Sequence, residues 1–191
     1  DFNRWIEKIK TAELVAVDTE TTSLDYMRAE LVGISLAVAP GEAAYIPFGH
    51  DYMGAPEQLA QEAVLEQLKP LLEDVNIKKV GQNLKYDMSV LARHGIQMQG
   101  ICFDTMLESY VLDSVATRHD MDSLAEKYLE QTTISFSDVA GKGAAQLTFN
   151  QVALDQAGPY AAEDADITLR LHQCLWPQVE AHPTLVNVFR D

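Results

Sequence analysis

The chain has 191 residues, 47% of them hydrophobic, enough to bury a sizeable core within one domain. Its 29 acidic and 14 basic residues give a formal charge of −15, which excludes broad, non-specific gripping of nucleic acid through a basic surface. No apolar run approaches the ~20 residues of a membrane span and no signal-peptide pattern opens the chain, so a cytoplasmic protein is expected.

The first element is a short amphipathic helix, capped by Asp1, with Trp5, Ile6 and Ile9 on one face. A strand is expected over residues 14–17. LVGISLAVAP at 31–40 reads as a second strand, turned by Pro40-Gly41, and AAYIPF at 43–48 as a third. Three strands with short connections predict an antiparallel meander. Pro56 is expected to open a helix whose Leu59, Val64, Leu65, Leu68, Leu71 and Leu72 form an apolar stripe, interrupted late by Pro70.

KKVGQ at 78–82 predicts a short strand, followed by a helix over residues 83–94 that stops at Gly95. ICF at 101–103 is the fifth strand, and from Asp104 onward the pattern is helical. SDVAGKGAAQ at 137–146 reads as a loop, and Gly158-Pro159 as the start of the last long helix. Strands first, then strand and helix alternating, then helices, imply an α/β domain with a mixed sheet. Cys102 and Cys174 lie far apart without metal-ligand spacing, and buried thiols are expected. The initial Asp and the closing HPTLVNVFRD lead us to expect a piece of a longer polypeptide.

Three groups of acids stand out. In VAVDTETTS (15–23), Asp18 and Glu20 project from the same side if the strand continues. Paired carboxylates repel unless a cation lies between them, and hard oxygen ligands select Mg²⁺ or Mn²⁺. The competing reading ends the strand at Val17 and makes DTETTS a solvated turn. In NLKYD (83–87), Asn83 and Asp87 share a helical face, although Asn83 is equally natural as an N-cap. In PYAAEDAD (159–166), Tyr160 and Asp164 lie one turn apart and reach a common point. Glu163 and Asp166 are less well aligned, and acids in a first turn also favour the helix dipole without any function.

Taken together, D-x-E, N-x3-D with an aromatic before the Asp, and Y-x3-D resemble the motifs of the DEDD exonuclease superfamily, in its tyrosine (DEDDy) branch. WIEKI, VAVDTETTSLD, KVGQNLKYD, FDTMLESYVLDS, AGKGAAQLTFNQ and YAAEDAD extend the likeness. Over nearly the whole chain they are similar to the 3′-5′ proofreading exonuclease domains of bacterial family A DNA polymerases.

That resemblance implies a ribonuclease H-like fold, a mixed five-stranded sheet flanked by helices, as one exonuclease domain over 1–191 leading into an absent polymerase domain. It implies two divalent ions, Mg²⁺ with Mn²⁺ or Zn²⁺ as alternatives. Asp18 would bridge both, Glu20 and Asp164 would complete the first, and Asp87 would support the second, partly through water. Tyr160 would orient the attacking water. Leu24 and Phe136 would lie against the terminal bases, though ordinary core packing is the competing role for both. Thr21, Gln82, Asn83 and Arg118 would touch the substrate, and Thr19 would point away from the site. The implied partner is a single-stranded or frayed 3′ end of DNA, with a covalently attached polymerase domain, no membrane and a monomeric state. A ribonuclease D-like RNA exonuclease and a silent exonuclease-like module are the rival readings; the second is disfavoured because no motif acid is missing.

Overall fold

A computed structural model describes residues 1–115 and 117–190. Five strands form one sheet: β1 (Val15–Thr21), β2 (Leu31–Ala39), β3 (Glu42–Pro47), β4 (Lys79–Gly81) and β5 (Ile101–Asp104), in the order β3-β2-β1-β4-β5. β1, β2 and β3 are the expected antiparallel meander, while β4 runs parallel to β1 and β5 parallel to β4. The helices are α1 (Phe2–Thr11), α2 (Gln61–Leu72), α3 (Leu84–Arg93), α4 (Thr105–Leu112), α5 (Met121–Leu129), α6 (Phe136–Ala140), α7 (Leu154–Glu180) and α8 (Pro183–Arg190).

Strand alternation divides the core. Val15 and Val17 point to one face, where Ile6, Ile9, Val64, Leu68, Leu84 and Leu91 of α1, α2 and α3 cover them. Ala16, with Ala37 and Val80, points to the other face and meets Ala165 and Leu169 of α7. α5 then packs on the outer side of α7 through Leu124, Ile167, Leu171 and Leu175. On α7, Ala157, Ala161 and Ala165 recur every four residues, all fully buried. Side chains this small let the helix axis come close to the sheet.

Several boundaries differ from expectation. β1 does not stop at Val17: its ladder with β2 continues through Asp18↔Ser35 and Glu20↔Gly33 before a register shift at Thr21, so the acids stand on the strand and not in a solvated turn. The helix expected from Pro56 begins at Gln61, because the Gln58 side chain bonds both the N–H and the carbonyl of His50 and holds the preceding segment extended. Leu59 is accordingly exposed. Pro70 does not interrupt α2, since it falls in the final turn and forfeits a single backbone bond.

Pro159 does not start the last helix, which begins five residues earlier at Leu154. A proline there leaves the carbonyl of Asp155 without its helical donor, and both residues lie on the exposed side, where water serves instead. The expected loop at 137–146 carries α6, closed by a Ser135/Asp138 capping box, and a 3₁₀ turn over Gly143–Ala145. Asp1 occupies the N-cap of α1 but contributes its carbonyl, not its side chain, to Arg4 and Trp5. Cys102 is exposed and Cys174 half-buried, contrary to expectation: both are free, Cys102 lies on an edge strand, and α7 turns Cys174 only partly inward.

Candidate active site

The site lies where the sheet face under α7 runs out at the end of β1. Asp18 and Glu20, alternate residues of β1, point to that face, and α7 brings Asp164 down to them one residue before the buried Ala165. Carboxylate oxygens of Asp18, Glu20 and Asp164 all lie within 4.8 Å of one another. Ser35, directly opposite Asp18 in the ladder, donates its hydroxyl to the Asp18 carboxylate at 3.4 Å.

Asp87 approaches from the other side of β1. It is buried on α3, and its Oδ1 accepts both the backbone N–H of Thr19 at 2.9 Å and the Thr19 hydroxyl at 2.5 Å. Thr19 does project away from the acid face, yet it is the residue that pins Asp87 next to Asp18. Asp87 stands apart from the three-acid group but near enough for its charge to act on Glu20.

This concentration of negative charge is costly without a cation. Burial, offset only partly by Ser35 and the Thr19 N–H, pushes the Asp18 carboxyl up to about 6. Glu20 is held well above the usual carboxylate range by burial and then by Asp18, Asp164 and Asp87. Asp87 and Asp164 are raised by burial first and by Asp18 next. Glu20 Oε1 is buried with no hydrogen-bond partner among the described residues. A buried oxygen left open toward two further carboxylates fits an oxygen-selective divalent cation, with Asp18, Glu20 and Asp164 as its ligands and Asp87 beside them.

Tyr160 adjoins Asp164 on α7, close enough for its phenol to bond that carboxylate. Burial, and then the charges of Asp164, Glu20 and Asp18, push the phenol far above its ordinary value, so it stays protonated at neutral pH. Its ring packs against Phe149 and, edge-on, against Phe136 at 6.3 Å between centroids.

The expected substrate residues divide. Leu24 is 95% exposed beyond β1 and packs in no core; Phe136 is 37% exposed at the start of α6, beside Tyr160. The Thr21 hydroxyl bonds Ser23 O and the Tyr86 hydroxyl, which ties the segment after β1 to α3. Asn83 is exposed at the N-cap of α3 in the left-handed region (φ 61°), and its side chain makes no capping bond. Arg118 is exposed between α4 and α5. Gln82 is turned inward: its amide donates to His119 O at 2.8 Å and its carbonyl accepts from Thr105, so it braces the neighbouring loop.

Three contributors escape a reading by motif. Asp104, at the end of β5, accepts from the N–H groups of Asn83 and Leu84 and from those of Met106 and Leu107, so one carboxylate caps α3 and α4 together. Only its place just before a helical pattern could have signalled this. Tyr45 lies across Gly33, where an added Cβ would stand 2.3 Å from the ring, and Gly33 faces Glu20 in the ladder. His50 fixes that tyrosine. Its Nδ1 bonds Val152 O at 3.0 Å, and a carbonyl can only accept, so Nε2 is free to take the Tyr45 hydroxyl at 2.8 Å. The third is Glu163, which holds the strand-free segment before Phe136.

A sequence model of the 3′-5′ exonuclease family matches residues 1–180. The chain belongs to that family. DNA polymerase I of Pseudomonas aeruginosa is 62% identical to this exonuclease over 192 residues, covering 100% of the chain and 21% of the relative. The exonuclease thus spans about a fifth of the length of the curated relatives it matches, and it corresponds to the exonuclease domain of bacterial DNA polymerase I. Among solved structures, Trypanosoma brucei RNase D superposes with a TM-score of 0.72 at 15% identity, covering 99% of this chain and 66% of that one. Brucella melitensis NrnC does so with a TM-score of 0.69 at 24% identity, covering 94% and 81%. At these identities the likeness establishes the ribonuclease H-like fold. The exonuclease family is hydrolytic and divalent-metal dependent, in keeping with the acid cluster.

Proposed function

We propose that the chain is the proofreading domain of a bacterial cytoplasmic DNA polymerase I. It would remove nucleoside 5′-monophosphates from a single-stranded or frayed 3′ end of DNA and continue into a polymerase domain that carries duplex binding. The observation that carries this reading is the grouping of Asp18, Glu20 and Asp164 within 4.8 Å of one another, with Asp87 held beside them by Thr19, in a chain 62% identical to a DNA polymerase I over 192 residues.

We take two Mg²⁺ ions as the resident metals. Asp18, Glu20 and Asp164 would hold the first, and Asp87, fixed by Thr19, would serve the second from the opposite side of β1. Brucella melitensis NrnC, a fold neighbour, has also been solved with bound Mg²⁺. Bound divalent ions supply Lewis-acid activation of water and charge neutralisation at the scissile phosphate. The remaining work falls to protein groups. Tyr160, held as a neutral phenol, orients the attacking water by hydrogen bonding and does not itself take the proton. Leu24 and Phe136 offer sequence-tolerant apolar contact to the terminal bases, Thr21, Asn83 and Arg118 touch the substrate, and Gln82 braces the neighbouring loop. Frayed termini are preferred because they cost less to unpair.

Two measurements test this reading. Asp18→Ala should fold but lose Mg²⁺-dependent release of 3′ nucleotides; near-normal turnover in the purified variant would refute the site. Comparing 3′-deoxy- with 3′-ribo-terminated oligonucleotides tests the substrate, where a preference for ribo ends would favour the ribonuclease D-like alternative.

A further inference from the structure

Residues 130–135, between α5 and α6, form neither helix nor strand, yet they deliver Phe136 to its place beside Tyr160. What fixes them is mostly one side chain. Glu163 Oε2 accepts the Ile134 N–H at 2.6 Å, and its Oε1 faces the Gln131 amide at 3.5 Å. Arg170, two turns further along α7, donates to the Gln131 carbonyl at 2.7 Å. A second hold is lighter: the Thr133 hydroxyl bonds Asp122 at 2.6 Å. Both oxygens of Glu163 are therefore engaged by the segment, and Glu163 is outside the three-acid group that its neighbour Asp164 joins, although its charge still acts on Asp164.

We propose that Glu163 is a positioning residue for the base contact. A charged acceptor on a half-buried backbone N–H is among the stronger hydrogen bonds a loop can make. Because Glu163 and Asp164 are consecutive on one rigid helix, the same turn of α7 sets both the carboxylate that serves the chemistry and the distance at which Phe136 stands from it. Loss of the clamp lets the segment, and with it the Phe136 ring, drift from the terminal base while the acid cluster stays intact. The inference rests on the reading of Phe136 as a base contact.

The test is a double-mutant cycle on Mg²⁺-dependent degradation of a single-stranded oligodeoxynucleotide, following kcat, KM and the Mg²⁺ concentration for half-maximal rate. Phe136→Ala and Glu163→Ala should each lower kcat/KM about tenfold, mainly through KM, as expected for one lost base–aromatic stack. Mg²⁺ dependence should not move in Phe136→Ala, and any shift in Glu163→Ala should be matched in Glu163→Gln, since both remove the charge that acts on Asp164. The double variant should be no worse than Phe136→Ala alone, and Glu163→Gln, which keeps a carbonyl acceptor for Ile134, should recover most of the activity. If Glu163→Ala does not fold, Asp122→Ala should give a smaller effect of the same kind, again absent in the Phe136→Ala background. Additive losses, or a shift of Mg²⁺ dependence in Glu163→Ala that Glu163→Gln does not share, would overturn the clamp while leaving the exonuclease reading untouched. An unchanged KM in Phe136→Ala would overturn the base contact and the clamp with it.

Discussion

Tyr160 and Asp164 form the pair to which the proposed chemistry of α7 falls, and their roles separate by mutation. Tyr160→Phe keeps the ring against Phe149 and removes only the hydroxyl. Because burial and three carboxylates keep that hydroxyl protonated, its loss should leave metal binding nearly intact while lowering kcat by roughly a hundredfold or more. Calorimetry and single-turnover rates on the same variant check both halves; collapse of metal binding would show that the phenol shapes the metal site instead. At this scale much was legible. Spacing put Asp18 with Glu20 and Tyr160 with Asp164 on common faces, since strand and helix periods are fixed by backbone geometry, but it left each pair open to a turn or helix-dipole role, and Asp87 to a helix whose Asn83 is an N-cap; only the resemblance gathered the five into one expected site. The inward turn of Gln82 was not legible, because it depends on the His119 carbonyl 37 positions away. Tyr45 gave no signal and Asp104 only its place before a helical pattern, as an isolated tyrosine or aspartate in sequence says nothing about the partner it will meet.

At the scale of elements, the contact between α4 and α7 contains a buried acid that the site does not use. Glu108 is fully buried, with one oxygen on His172 Nδ1 at 2.8 Å and the other without a partner among the described residues. Burial pushes its carboxyl up to about 7 against the opposing pull of His172. The folded value is raised above the unfolded one of 4.5, so the folded state binds the extra proton. The stability contributed by Glu108 is therefore complete below pH 4.5 and is lost as pH rises through about 7. Glu108→Gln should flatten the fall in denaturation midpoint between those limits; an unchanged slope in urea titrations would contradict the assignment. The elements themselves were readable where periodicity was long, as in the meander and α3. They were misplaced where a local signal was overruled: Pro159 marked a helix start by propensity, yet its exposed position let α7 run through it.

For the molecule as a whole, net charge and acid cluster act in the same direction. A chain of charge −15 gathers four carboxylates at the end of one strand, and the apo state bears their repulsion. Millimolar Mg²⁺ should raise the melting temperature, because the ion binds the folded state alone and relieves that repulsion. The gain should vanish in Asp18→Ala; equal stabilisation of that variant would point to binding elsewhere. Exonucleolytic attack from the 3′ end is proposed at this carboxylate cluster. It is tested most directly by incubating a 5′-labelled single-stranded oligodeoxynucleotide with the chain, with Mg²⁺ and with chelator. The expected product is a ladder shortened one nucleotide at a time from the 3′ end, seen with Mg²⁺ and abolished by chelator; an intact oligonucleotide with Mg²⁺, or equal shortening in chelator, would refute metal-dependent attack at this site.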